Sequence, residues 1–197
     1  MGADLGAAKA AARKAALARR KAAHSAAAGA AACARLLGLL QNPHGKVVAG
    51  YMPIRTEADI RPAMLELAGA NTLCVPVIRA AGLPLAFHRW TPEAEMMPGP
   101  FGALVPRETS EVKPQIVILP LVAFDSRGMR LGYGGGFYDR SLSQLRAAGP
   151  VWAIGFAYAS QEAAELPVET TDQRMDAVVT EREVLRFSVP GAPADAP

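Results

Sequence analysis

The chain has 197 residues, enough for one ordinary domain with a full core. It is 51% hydrophobic, yet no run of eighteen apolar residues occurs, which argues against a transmembrane helix. Cys33 and Cys74 stand apart from each other and from His24, His44 and His88, so neither a disulfide framework nor a zinc pattern is indicated, and a reducing cytoplasm suits that usage.

The net charge of +3 conceals an asymmetry: nine Lys/Arg lie from Lys9 to Arg55, and no acidic residue falls between Asp4 and Glu57. Alanine dominates residues 7–34, a strong helix former, with a break expected near His24-Ser25 and continuation to Leu40. On such a helix Lys9, Arg13 and Arg20 fall within roughly 40° of one another. Three readings of the basic helix stand open: a nucleic-acid-binding arm, an organelle transit peptide, or a helix supplying cations to a phosphate site. The stretch has no interleaved aromatics and no recognition motif, which weighs against nucleic acid.

Residues 41–45 read as a turn, and 47–51 as a short buried strand. Residues 57–70 are predicted to be a helix with Ile60, Met64, Leu65 and Ala68 on one face and Pro62 in its first turn. Strands are expected at 72–78 and 85–90, with a loop at 91–100. The clearest buried strands are 116–124 and 151–157, separated by a glycine loop and a helix over 137–148; 177–180 closes the series. Strands alternating with helices predict an α/β fold with a mainly parallel sheet, with ligands beyond the strands' carboxyl ends. Residues 190–197 read as a disordered Pro/Ala-rich tail, leaving 1–189 as the single domain.

The most informative segment is Arg130-Leu131-Gly132-Tyr133-Gly134-Gly135-Gly136-Phe137-Tyr138-Asp139-Arg140. Its glycines permit φ > 0 and close approach of the backbone to a ligand. Their N–H groups, followed by a helix N-terminus, describe an anion cradle. A Walker A loop needs Gly-Lys-Ser/Thr, and a dinucleotide fingerprint needs a third glycine where Phe137 stands, so this is a phosphate loop of another kind.

Taken with other segments in order, the loop resembles the 5-formyltetrahydrofolate cyclo-ligase family. The matching features are Lys9 and Arg13 on an early helix, Tyr51-Met52-Pro53 leading to Glu57-Ala58-Asp59, the loop from Arg130 to Asp139, and Asp176-Ala177-Val178-Val179-Thr180. Three positions depart from the family pattern: Val105 stands where a glutamate is usual, Ile60 where a threonine is, and residues 157–160 replace a His-Asp pair.

The resemblance implies a three-layer α/β/α domain of the ribose-phosphate isomerase and CoA transferase type. It implies cyclisation of 5-formyltetrahydrofolate to 5,10-methenyltetrahydrofolate with ATP as co-substrate and Mg²⁺ as cofactor, in a cytoplasmic monomer with neither nucleic acid nor membrane as partner. Lys9, Arg13, Arg130 and the stretch Leu131, Gly132, Tyr133, Gly134, Gly135, Gly136, Phe137 and Tyr138 would hold ATP. Met52 and Glu57, with Tyr133, Gly134, Gly135, Gly136 and Phe137, would hold the folate. Asp139 and Asp176 would be the Mg²⁺ carboxylates. The resemblance leaves the catalytic residue open. A non-catalytic folate- or nucleotide-binding relative is the competing reading, kept open by Val105 and Ile60.

Overall fold

The computed structural model describes residues 2–187; the expected tail at 190–197 lies outside them. The alanine-rich N-terminus forms α1 (Gly2–Ala23) and α2 (Ala26–Leu40), which meet at a bend of 99°. The break comes where the sequence predicts it. Ser25 adopts extended backbone and its Oγ accepts the Ala28 N–H at 3.2 Å, capping α2. No single helix among the described residues is long and apolar enough to cross a membrane.

The remaining elements are β1 (Val47–Ala49), α3 (Arg61–Ala68), β2 (Thr72–Val77), β3 (Ala86–Arg89), β4 (Met96–Pro98) and β5 (Leu104–Pro106). They continue with β6 (Ile116–Pro120), β7 (Ala123–Asp125), β8 (Arg130–Leu131), α4 (Phe137–Ala148), β9 (Trp152–Phe156), β10 (Glu162–Ala163), β11 (Ala177–Val179) and β12 (Val184–Arg186). Seven strands make the central sheet in the order β12-β11-β9-β6-β1-β2-β3. The five inner strands run parallel, and only the edges β3 and β12 are antiparallel to their neighbours. The α/β architecture with a mainly parallel sheet is therefore as expected.

Because the inner strands are covered on both faces, they read as unbroken apolar runs. On one face Leu36 and Leu40 of α2 and Met64 and Leu67 of α3 pack over Val48, Ile118 and Ile154. On the other, Leu142 of α4 packs over Val117, Leu119 and Ala153. Helix α1 lies apart from both layers. Its Ala16 meets Val122, Ala123 and Leu131 beside the small β10-β7-β8 sheet, which brings the basic face of α1 to the start of the glycine loop.

Three stretches differ most from the sequence reading, each for an identifiable reason. The helix expected from residue 57 begins at Arg61: the Ile54–Glu57 turn closes on itself, and Asp59 Oδ1 accepts the Arg61 N–H at 3.0 Å. The expected loop at 91–100 contains β4, which pairs with β5 through a turn where Phe101 and Gly102 have φ of 59° and 82°. The expected strand 116–124 divides after Pro120. The Leu121 carbonyl is taken by Gln161 Nε2 at 2.7 Å, and β7 turns off to pair with β8 instead. The glycine loop thus follows a small hairpin rather than the central strand. Strand β12 had no sequence signal, being a short antiparallel edge.

Candidate active site

A cavity of about 580 Å³ opens beyond the carboxyl ends of β1, β2 and β6, where the parallel strands direct it. Its walls come from α1, residues 51–57, the β4–β5 hairpin, residues 130–139 and the Glu169–Asp172 turn, together with Pro76, Ile78, Leu85 and Pro120. Among the residues singled out from the sequence, Lys9, Arg13, Met52, Glu57, Asp139 and every position from Arg130 to Tyr138 line this one space.

On one side is the glycine loop. Gly134 and Gly136 have φ of 102° and 65°, a region that side chains other than glycine's rarely adopt. Gly136 precedes α4 with no side-chain cap, so the first N–H groups of a twelve-residue helix face the cavity unsatisfied. Arg13 steadies the loop by donating Nε–H to the Gly132 carbonyl at 2.8 Å. Lys9, only 9% exposed, bridges Asp172 at 3.0 Å and Glu169 at 3.2 Å, and those partners outweigh burial in holding its ammonium above its usual range.

Arg130 is almost fully buried behind the loop. It donates to Asp139 Oδ1 at 2.6 Å and to the Gln173 carbonyl, so two of its nitrogens are committed to the protein; burial pulls its affinity for the proton down. Asp139 also accepts the Gln173 N–H at 2.9 Å on the same Oδ1, which leaves Oδ2 for a cation. Its place in the first turn of α4 suits a carboxylate on helix-dipole grounds as well.

Asp176, the second expected Mg²⁺ carboxylate, is held differently from Asp139. It does not line the cavity. Its Oδ2 accepts from Arg146 at 3.0 Å and from the Ala153 N–H at 2.7 Å, and Oδ1 is buried with no partner. No group of three or more potential metal ligands occurs among the described residues.

On the opposite side is Glu57, 4% exposed, with Oε2 accepting the Ile54 N–H at 2.9 Å. Burial pushes its carboxyl above the usual carboxylate range, offset in part by that amide, Arg20, the Tyr133 hydroxyl and Arg55. Tyr133, half-exposed, stands between the two sides, with the Arg20 and Arg55 guanidinium carbons 5.6 and 5.5 Å from its ring centre. Met52 completes this wall, and Phe101 and Leu104 of the hairpin overhang it with exposed apolar surface.

Sequence reasoning missed Arg20 as a site residue, although its helical phase with Lys9 and Arg13 was the available signal. It also missed Asp172 and Glu169, which carry no motif, and the hairpin. Val105 and Ile60, the positions that departed from the family pattern, are buried apolar packing residues and neither lines the cavity.

The sequence profile of the 5-formyltetrahydrofolate cyclo-ligase family matches residues 6–181. The 5-formyltetrahydrofolate cyclo-ligase of Escherichia coli K12 is 34% identical over 145 residues, covering 70% of this chain and 79% of its own. The solution structure of Aquifex aeolicus 5,10-methenyltetrahydrofolate synthetase superposes with a TM-score of 0.74 at 28% identity, over 92% of this chain and 93% of that one. The Mycoplasma pneumoniae 5,10-methenyltetrahydrofolate synthetase gives 0.68 at 26% identity, over 88% and 98%.

Proposed function

The chain belongs to the 5-formyltetrahydrofolate cyclo-ligase family, and from that premise we propose that it closes 5-formyltetrahydrofolate to 5,10-methenyltetrahydrofolate using ATP, with release of ADP and phosphate. One observation carries the reading: the uncapped N-terminus of α4 after the glycine loop and the buried Glu57 carboxylate line a single cavity.

The chemical difficulty is the formyl group, a poor electrophile with a poor leaving oxygen. Transfer of the γ-phosphoryl to that oxygen makes an N5-iminium phosphate. The N10 lone pair then attacks the formyl carbon, N10 loses its proton, and phosphate departs with the C–O bond electrons. The protein's task is orientation and charge neutralisation. The amides of Gly134 to Tyr138 and the α4 N-terminus receive the triphosphate, with Arg13 and Lys9 beside it. Lys9 would exchange Asp172 and Glu169 for phosphate oxygens. Arg130 acts from behind the loop, fixing Asp139.

Mg²⁺ fits at Asp139 Oδ2, since this ion takes one or two carboxylates and completes its shell with phosphate oxygens and water. When bound it would neutralise the triphosphate. Asp176, enclosed by Arg146, is assigned to holding β9 and β11 rather than to the ion. Glu57 pairs with the N–H and amino edge of the pterin, Met52 packs against the ring, and Tyr133 to Phe137 form the wall shared with the nucleotide. The reading takes a single chain as the active unit, with neither nucleic acid nor membrane as partner.

The test is direct. Purified protein given 5-formyltetrahydrofolate and MgATP should develop the near-UV absorbance of the methenyl product. Binding of both ligands with no absorbance change would overturn catalysis and favour a non-catalytic relative.

A further inference from the structure

The Arg20 guanidinium is among the most deeply buried groups in the protein, at 1% exposure, and the chemistry above does not use it. An arginine leaves water only when its donors find partners. Here they are distributed over separate segments: Nε donates to Thr56 Oγ1 at 3.1 Å, Nη2 to the Tyr133 hydroxyl at 2.7 Å, and Nη1 to the Leu121 carbonyl at 3.5 Å. Nη1 also lies 3.9 Å from Glu57 Oε1. Two other arginines of the N-terminal helices behave differently. Arg19 and Arg35 bond backbone carbonyls at the surface, which ties helices down without touching the cavity wall.

We propose that Arg20 is a positioning residue for the folate side: it fixes the Tyr133 hydroxyl and sets its charge 3.9 Å from Glu57 Oε1, so that α1 governs the wall that meets the pterin. The proposal rests on the assignment of Glu57 to the folate. Its distinguishing content is that a nucleotide-side helix controls folate recognition through one buried cation.

The groups facing Glu57 make Arg20 the main adjustable charge. Arg55 lies on the same loop and is exposed; Tyr133 comes from the glycine loop, Tyr51 from the end of β1 and Tyr138 from α4. The three tyrosines are neutral near physiological pH because burial pushes each hydroxyl further up. Removing Arg20 therefore leaves a buried carboxylate with a single exposed cation beside it, and the carboxylate takes up a proton at higher pH than before.

Calorimetric titration of 5-formyltetrahydrofolate, and separately of MgATP, into wild type, Arg20→Gln, Arg20→Lys and Glu57→Gln decides it, at about pH 6 and about pH 8.5. Arg20→Gln should weaken folate binding by about tenfold or more, with the larger loss at the lower pH, and change MgATP binding by less than about threefold. Arg20→Lys keeps the charge and should restore the wild-type pH profile while retaining part of the affinity loss, because one ammonium cannot reach Thr56 and Tyr133 together. Equal loss of both ligands by the two Arg20 variants, or folate loss with an unchanged pH profile in Arg20→Gln, overturns the proposal. If Arg20→Gln does not fold, Arg20→Lys together with Tyr133→Phe carries the test: both should weaken folate binding selectively, and unchanged folate affinity in both overturns it. Glu57→Gln separates the premise. Undiminished folate binding there refutes the assignment of Glu57, whereas loss there with none in the Arg20 variants refutes only the role of Arg20.

Discussion

Glu57 and Asp139 illustrate two ways in which the fold sets the behaviour of a carboxylate. Burial raises the Glu57 proton affinity, and the charges and donors around it only partly reverse that. In the proposed folate role only the ionised form can accept the pterin N–H groups, so acidification would remove the acceptor. Because the group is shifted upward, that loss begins at a higher pH than an ordinary glutamate would give. Folate affinity should therefore fall as pH is lowered from 8 towards 5, and Glu57→Gln should flatten the profile at a lower affinity. Titration calorimetry across that range reads both. Asp139 is different: its Oδ1 is fixed by Arg130 and Gln173, and Oδ2 is available. Asp139→Asn keeps the shape and a hydrogen-bond acceptor but removes the charge. It should weaken MgATP binding by roughly 10–100-fold and folate binding little, consistent with loss of one charge-assisted contact of about 1.5–3 kcal/mol. Parallel loss of both ligands with a lowered melting temperature would point to misfolding instead.

At the scale of elements, the glycine loop was the most legible part of the chain, and the helix after it begins at Phe137 as the sequence indicates. The reason is that glycine spacing and helix start are both local properties. The β4–β5 hairpin was hidden because three-residue strands holding Pro98 and Pro106 give no alternation to read. The late start of α3 was hidden because it depends on the Glu57 and Asp59 side chains returning to the backbone. The surroundings of Asp176 were hidden for a related reason: its motif is visible, but the salt bridge to Arg146, thirty residues away, is not. The loop itself can be tested through Gly134, whose φ of 102° is unfavourable for other residues and whose added Cβ would come within 3.3 Å of Arg13 Nη2. Gly134→Ala should cost about 1–2 kcal/mol in denaturant unfolding from backbone strain. It should also displace Arg13 and so weaken MgATP more than folate; an unchanged nucleotide affinity would remove Arg13 from the phosphate site.

For the whole molecule, the cavity is a product of long-range assembly. Lys9 meets Asp172, Arg13 meets Gly132 and Arg20 meets Tyr133, so α1 is stitched to segments more than a hundred residues away. The sequence named most of these residues but could not show that one helix reaches both the glycine loop and the Glu57 wall, because that depends on how α1 lies across the small sheet. Such an arrangement links ligand binding to the stability of the whole fold. A ligand present at about 100 times its Kd and bound only by the native state stabilises it by about 2.7 kcal/mol. For a chain of this size each kcal/mol raises the melting temperature by about 2–4 °C, so MgATP alone should raise it by roughly 5–10 °C. The two ligands together should raise it further, because both close on the same helix. In Arg13→Ala the nucleotide-dependent increment should shrink at the same MgATP concentration, while the increment from 5-formyltetrahydrofolate alone persists, since Arg20 and Glu57 remain. Scanning fluorimetry of wild type and variant with each ligand measures the four increments. Loss of the folate increment in Arg13→Ala would mean that the two sides are held by α1 as one rigid unit rather than through separate residues.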